Sequence, residues 1–143
     1  MRKSQYGCLA ALTLTAAAVL APSSATADAA ALANPTSPFR IEYGATWSEG
    51  TVTWNNRSVR VVGKNKSVSA ASDATCRTTY VYTLKGNKDI LSGGVGRPYA
   101  CGNTKSYDFT VSADVRGGAA YIRVCLDDGN LRDLKCELIA RPS

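Results

Sequence analysis

The sequence predicts an all-β fold. The expected architecture is a small antiparallel β-sandwich, Ig-like or jelly-roll-like, of about six to eight short strands stapled by disulfides. Three observations predict it. Residues 106–115 (SYDFTVSADV) alternate apolar and polar side chains without a break. Short β-branched and aromatic runs are punctuated at close intervals by turn formers. Four cysteines, Cys76, Cys101, Cys125 and Cys136, follow a secretory leader, so their number is even and their compartment oxidising.

The leader is residues 1–27. Arg2 and Lys3 precede an apolar run from Cys8 to Leu20, and Pro22-Ser23-Ser24 breaks that run. Ala25 and Ala27 then supply small residues for cleavage after Ala27, with Ala29 as a second allowed site. The run is shorter than the about 20 apolar residues a membrane span needs. Cys8 precedes the apolar run, whereas a lipidated cysteine would follow it, so it is expected to leave with the leader. Residues 28–38 (DAAALANPTSP) are small and Pro-containing and read as a flexible lead-in. Residues 39–143 are then the sandwich domain.

Strands follow in order. Thr51 to Asn55 alternate, Asn55-Asn56-Arg57 turn the chain, and Val59 to Val62 continue. Gly63-Lys64-Asn65 reads as a turn and residues 64–75 as a polar loop or edge. Residues 76–84 (CRTTYVYTL) carry the β-branched and aromatic types that suit a pleated surface. Gly86-Asn87 and Gly93-Gly94 mark turns, and SGGVGR (92–97) a flexible connection. In 106–115, Tyr107, Phe109, Val111, Ala113 and Val115 share one face, which makes a half-buried strand. Residues 119–126 (AAYIRVCL) form another, with Ile122, Val124 and Leu126 inward. Trp47 and Trp54 are expected core anchors.

Two disulfides are the expected use of the cysteines; a zinc site lacks any C-x-x-C pair. Cys76–Cys101 with Cys125–Cys136 is favoured because it closes short loops, although four cysteines allow three connectivities. In CLDDGNLRDLKC (125–136) the acids read as turn chemistry rather than a calcium loop, since EF-hand order and flanking helices are missing. Direct pairing of Cys125 with Cys136 raises a conflict. It sets Val124 and Leu126 opposite Glu137 and Lys135. Either the second arm is bulged, or the cysteines bond elsewhere.

GTVTWNNRSVRVVG (50–63), CGNTKSYDFTV (101–111) and GGAAYIRVCLDDG (117–129) resemble small secreted proteins of actinobacteria. These have a leader, a GTVTW-like first hairpin and paired cysteines. The likeness covers most of residues 50–136. It implies export and a β fold, and it brings no active site, because none of the motifs is diagnostic of a chemistry.

The absence of histidine removes every triad built on an imidazole base and every His-ligated metal centre. Oxidised cysteines leave no thiol nucleophile. Ser67 near Lys64 and Lys66 offers a Ser-Lys pair only in a polar loop that cannot desolvate the lysine. SGGVGR lacks the Lys-Ser/Thr and the helix of a phosphate cradle. Asp108 and Asp114 share a strand face but lie about 20 Å apart. No enzyme, cofactor or metal is therefore expected.

Two candidate binding surfaces remain. Arg57, Arg60, Lys64 and Lys66 place four positive charges in ten residues without an acid, a landing patch for an anionic polymer or a charged edge. Tyr80 and Tyr82 share a strand face and offer stacking area with polar tips, unless they sit half in the core. Removing Arg2 and Lys3 from 17 basic residues leaves 15 against 11 acids, a net of about +4 that fits solubility as well as weak anion affinity. The expected role is a secreted, monomeric, non-catalytic binding module for an extracellular polymer or protein, with no specific nucleic acid and no membrane span. The alternative is an inhibitor of an extracellular hydrolase working through residues 85–100. A small carboxylate hydrolase comes third and needs two acids within about 10 Å.

Overall fold

The computed structural model describes residues 33–143. The leader and residues 28–32 lie outside them. Eight strands are present: β1 (Thr36–Tyr43), β2 (Thr46–Trp54), β3 (Ser58–Lys66), β4 (Thr78–Leu84), β5 (Ile90–Val95), β6 (Thr104–Ser112), β7 (Tyr121–Asp127) and β8 (Asp133–Ala140). They form two four-stranded antiparallel sheets, β1-β2-β3-β6 and β5-β4-β7-β8. The sheets face each other as a sandwich, with β5 beside β6 at one side and β1 beside β8 at the other. A 3-10 turn, Asp73–Thr75, lies between β3 and β4. Among the described residues no helix is long and apolar enough to cross a membrane.

Period-two alternation builds the interior. Phe39, Ile41, Val52, Trp54, Val59, Val61, Tyr107 and Val111 point inward from the first sheet, and Val81, Ile122, Val124 and Leu126 from the second. Trp54 is fully buried and its Nε1 donates to Ser37 Oγ at 2.9 Å. Trp47 is not a core anchor. It alternates to the outer face of β2, where the Arg40 guanidinium sits 4.9 Å from its ring.

Three segments depart from the expected pattern. β1 starts at Thr36, inside the segment read as a lead-in, with Ser37 buried and Thr36 in register with Thr53. Pro38 is tolerated there because β1 is an edge strand and its missing N–H faces no partner. Gly63-Lys64-Asn65 is no turn, because β3 runs through it and pairs it with β2 and β6. A Cβ on Gly63 would meet the Tyr107 hydroxyl at 2.5 Å, so the glycine makes room for the phenol rather than bending the chain. Gly93-Gly94 likewise lies within β5, in register with Tyr82 and Val81.

Both favoured disulfides are present, Cys76–Cys101 and Cys125–Cys136, spanning 25 and 11 residues. By loop length they contribute about 3.5 and about 2.8 kcal/mol in the chain-entropy treatment. Cys125 and Cys136 do sit directly opposite each other. The opposed pairs Val124–Glu137 and Leu126–Lys135 do form, and they are tolerated because β8 is an edge strand, on which Lys135 stays exposed and Glu137 half-exposed. The ladder slips only beyond them, between Leu126 and Asp127. Inward-pointing charge on an edge also resists pairing with other chains.

A polar seam crosses the sandwich interior. Thr79 Oγ1 on β4 donates to Asn65 Oδ1 at 2.6 Å and meets Ser48 Oγ, while Ser48 Oγ lies 3.1 Å from the Tyr107 hydroxyl. The Tyr107 hydroxyl donates to the Glu49 carbonyl at 3.0 Å. Burial pushes its phenol up, so that proton stays in place. Replacing Thr79 with valine keeps the shape and removes the bridge, leaving Ser48 and Asn65 buried without it. Thr79→Val is expected to lower unfolding free energy by about 1–3 kcal/mol in urea titrations; wild-type stability in that variant would show that the seam does not hold the sheets together.

Candidate functional site

The basic candidates lie on the first sheet. Arg57 is in the β2–β3 turn, and Arg60, Lys64 and Lys66 point outward from β3. β6 is the neighbour of β3 and brings acids to two of them. Arg60 forms a two-point pair with Asp108, Nε to Oδ1 at 2.9 Å and Nη2 to Oδ2 at 2.5 Å, and Arg57 pairs with Asp114. The hydrogen bonds and charge of Arg60 hold the Asp108 carboxyl below its usual range, and Asp108 raises Arg60 in turn. Lys64 faces Glu49 in register, and Glu49 also pairs with Arg40. A shallow hollow of about 350 Å³ opens between Phe39, Arg40, Glu49, Gly50, Thr51, Gly63 and Lys64, rimmed by both signs of charge. Of the four positive charges, Arg57 and Arg60 are therefore ion-paired, whereas Lys64 and Lys66 form no salt bridge among the described residues. The two pairs were hidden in sequence because Asp108 and Asp114 lie about 50 residues later and are brought alongside by the β3–β6 ladder.

Tyr80 and Tyr82 lie on the outer face of the second sheet, on the opposite side of the sandwich from the basic residues. The two candidate surfaces do not meet. Both tyrosines are half-buried, with ring centroids 4.6 Å apart and planes inclined by 36°. The Tyr80 ring is laid across β5, because a Cβ on Gly93 would meet its Cε1 and hydroxyl at 2.7 Å. A side chain at 93 would collide with the ring, so glycine is what lets it occupy this place. The Arg123 guanidinium sits 4.2 Å from the Tyr82 ring centroid. Burial raises the Tyr82 phenol, as does the charge of Asp133, against a hydrogen bond to Arg123. Exposed Leu138 and Ile90 extend this face, and Tyr121 carries Lys88 5.9 Å from its ring.

One pair of residues on this face escaped the sequence reading. Cys125 and Cys136 are opposite each other, and after the bulge the next outward pair is Asp127 with Asp133. Asp128 does what turn chemistry requires: its Oδ1 accepts from Asn130 N at 2.8 Å and Arg132 N at 3.0 Å. Asp127 does not. It is 1% exposed, and neither carboxyl oxygen meets a donor among the described residues. Arg123 Nε on the same face is buried and likewise without an acceptor. Asp127 is pushed up to about 7, first by burial, then by the charges of Asp133 and Asp128, against the pull of Arg123. A shielded carboxyl beside another acid ionises at a cost, so Asp127 keeps its proton to higher pH than an exposed aspartate would. The bulge that sets this register is invisible in CLDDGNLRDLKC; only the i, i+2 spacing of Cys125 and Asp127 hints that they share a face.

Chemically the face can stack a flat ligand on Tyr80 and Tyr82, exchange hydrogen bonds through Arg123 and Asp133, and hold or release one proton. The Cys125 and Cys136 sulfurs beside Asp133 are bonded to each other and offer no thiolate to a metal.

Linkage gives the sign of the pH effect. A carboxyl raised from 3.8 to about 7 stabilises the fold fully below its unfolded value, and the contribution disappears as pH rises through 7. Asp127→Asn keeps the shape, donates to Asp133 and removes the titration. Between pH 4 and 8, wild type is expected to lose about 2 kcal/mol relative to the variant, a figure held below the full shift for residual solvation. Parallel urea titrations of both proteins check this, and parallel pH profiles would contradict it.

No protein-family model matches the chain, and no curated protein matches it. Among solved structures, the crystal structure of an endonuclease/exonuclease/phosphatase from the actinobacterium Beutenbergia cavernae DSM 12333 is similar at 12% identity and a TM-score of 0.44, over 73% of this chain and 26% of that one. The chain thus spans about a quarter of that protein's length, and a likeness at this level assigns neither family nor activity.

Proposed function

We propose that the protein is an exported, non-catalytic binding module whose working face is the outer face of the β5-β4-β7-β8 sheet and whose ligand is an extracellular polysaccharide. The observation that carries the reading is the Tyr80 ring lying across Gly93 beside Tyr82, an aromatic ledge with Arg123 and Asp133 at its border. A pyranose presents an apolar face to stack and hydroxyls around its rim, so a ledge edged by a cation and a carboxylate matches both. The paired disulfides fit an oxidising compartment, and the leader-like residues 1–27 supply the route to it.

The charge distribution favours this face over the other. Arg57 and Arg60 already have carboxylate partners, so a polyanion would have to displace Asp114 and Asp108 to use them. The inhibitor reading is weakened because β5 occupies residues 90–95 in the middle of its candidate loop and is hydrogen-bonded to β4. The hydrolase reading gains two opposed acids in Asp127 and Asp133, but Asp127 is shielded and out of reach of a substrate.

Affinity electrophoresis and pull-down on cellulose, chitin and cell-wall peptidoglycan test the proposal. Tyr80→Ala with Tyr82→Ala is expected to weaken retention at least tenfold, about 1.4 kcal/mol, while Arg60→Ala leaves it unchanged. Melting curves confirm that both variants fold. The reading fails if wild type is retained on none of these polymers, or if the tyrosine variant binds as wild type does.

A further inference from the structure

Two buried polar groups of opposite charge remain without hydrogen-bond partners on the outer face of the second sheet. One is the Asp127 carboxyl, opposite Asp133 on β8; the other is Arg123 Nε, two positions before Cys125 on the same strand. Arg123 meanwhile rests on the ring of Tyr82, half of the aromatic ledge. We infer that the buried Asp127 carboxyl carries a proton beside Asp133, and that its release draws the Arg123 guanidinium off Tyr82 toward the two acids, so that the ledge opens when both are ionised. Only the last step, opening for a ligand, rests on the polysaccharide reading.

The competition is between two places for one cation. With the proton in place the acid pair carries a single negative charge, and a guanidinium stacked on an aromatic face gives up little by staying there. Without it the pair carries two negative charges, one of them buried and unpartnered, and a charge-assisted hydrogen bond to Arg123 becomes the stronger contact. The groups that face the pair are Asp128 and Arg123 on or beside β7, and Tyr82, with Tyr80 next to it, on β4. Of these, Arg123 is the only cation. The proton leaves the Asp127 carboxyl for solvent past Asp133, its exposed neighbour on β8. The raised affinity of Asp127 for its proton places the change near neutral pH.

Ring-13C-tyrosine NMR on the full chain, titrated from pH 5 to 9, tests the inference without a ligand. Tyr82 signals, assigned with Tyr82→Phe, are expected to shift with a midpoint near 7. Tyr107, which faces the core, is expected to stay constant over the same range. Asp127→Asn removes the titrating carboxyl and is expected to abolish the Tyr82 shift; Asp133→Asn, at an exposed position, removes the neighbouring charge and is expected to lower the midpoint of the Tyr82 shift, which keeps the test open if the first variant does not fold. A Tyr82 shift that persists in the variant, or no shift in wild type, overturns the inference. A parallel arm measures retention on cellulose, chitin and peptidoglycan at pH 5.5 and 8, with about a tenfold rise expected in wild type and none in Asp127→Asn. A pH-dependent Tyr82 with no retained polymer upholds the proton switch and rejects the polysaccharide; retention that is independent of pH despite the Tyr82 shift rejects the opening step.

Discussion

The Thr79 hydroxyl is the point on which the relative position of the two sheets depends. It projects from β4 into the interior and meets Ser48 on β2 and Asn65 on β3, and Ser48 in turn touches Tyr107 on β6. Proton counting shows how constrained the seam is. Thr79 gives its proton to Asn65 and Tyr107 gives its own to the Glu49 carbonyl, so the single proton of Ser48 must serve both remaining hydroxyls. Asn65 Nδ2 is left buried without an acceptor, which costs about 1–3 kcal/mol. An all-apolar seam would avoid that cost. It would also fix less, because apolar contacts survive a sliding of one sheet over the other and these hydrogen bonds do not. A one-residue slip of β3 would turn Asn65 outward, put Lys64 or Lys66 inside, and set a Cβ where Gly63 now admits the Tyr107 phenol.

With the sheets placed, the two outer faces acquire different characters from neighbouring stretches of chain. β3 and β4 are consecutive strands but belong to different sheets, so outward residues of 58–66 and of 78–84 end on opposite sides. The first sheet gathers Arg40, Glu42, Glu49, Arg60 and Asp108 into exposed ion pairs. Such pairs add little to stability in water, yet they cancel the field that a bare row of arginines would project toward a polyanion. The second sheet gathers Tyr80, Tyr82, Tyr121 and Leu138, with Arg123 and Lys88 set over rings instead of carboxylates. An outer face that spends its aromatic area on solvent, while its arginine and aspartate stay unpaired, is more open to a ligand than one whose charges are mutually satisfied.

What was legible in the sequence was local. The alternation of 106–115 gives β6 and its inward Tyr107, Phe109 and Val111, and the apolar set Ile122, Val124 and Leu126 gives β7. Both reflect a period that a half-buried strand imposes on its own residues. What was not legible depended on neighbours remote in the chain. Gly63 and Gly93 look like punctuation, but each is small because a tyrosine from another strand occupies the space of its side chain. Trp47 has the composition of a core residue and the parity of a surface one. Parity could be read only once the β1–β2 register was known. Arg57 and Arg60 looked unopposed because the acids that oppose them, Asp114 just past the end of β6 and Asp108 on it, are remote in the chain.

The β7–β8 hairpin shows how a small irregularity can place chemistry. Without a slip in the ladder, Cys125 opposite Cys136 would set Asp127 opposite Leu134, a carboxyl against an apolar side chain at the edge of the sheet. The slip between Leu126 and Asp127 replaces that partner with Asp133. Bulges re-aim side chains at sheet edges, and the disulfide beside this one prevents the strands from sliding back into regular pairing. Stability argues against the outcome, since two opposed acids, one of them shielded, are costly above neutral pH. Turn formation does not require it either, because Asp128 alone supplies the hydrogen bonds that close the turn. A costly arrangement that neither the turn nor the core needs, held in place by a covalent bond and set on the same face as the tyrosine ledge, is the arrangement expected of a working part rather than of a scaffold.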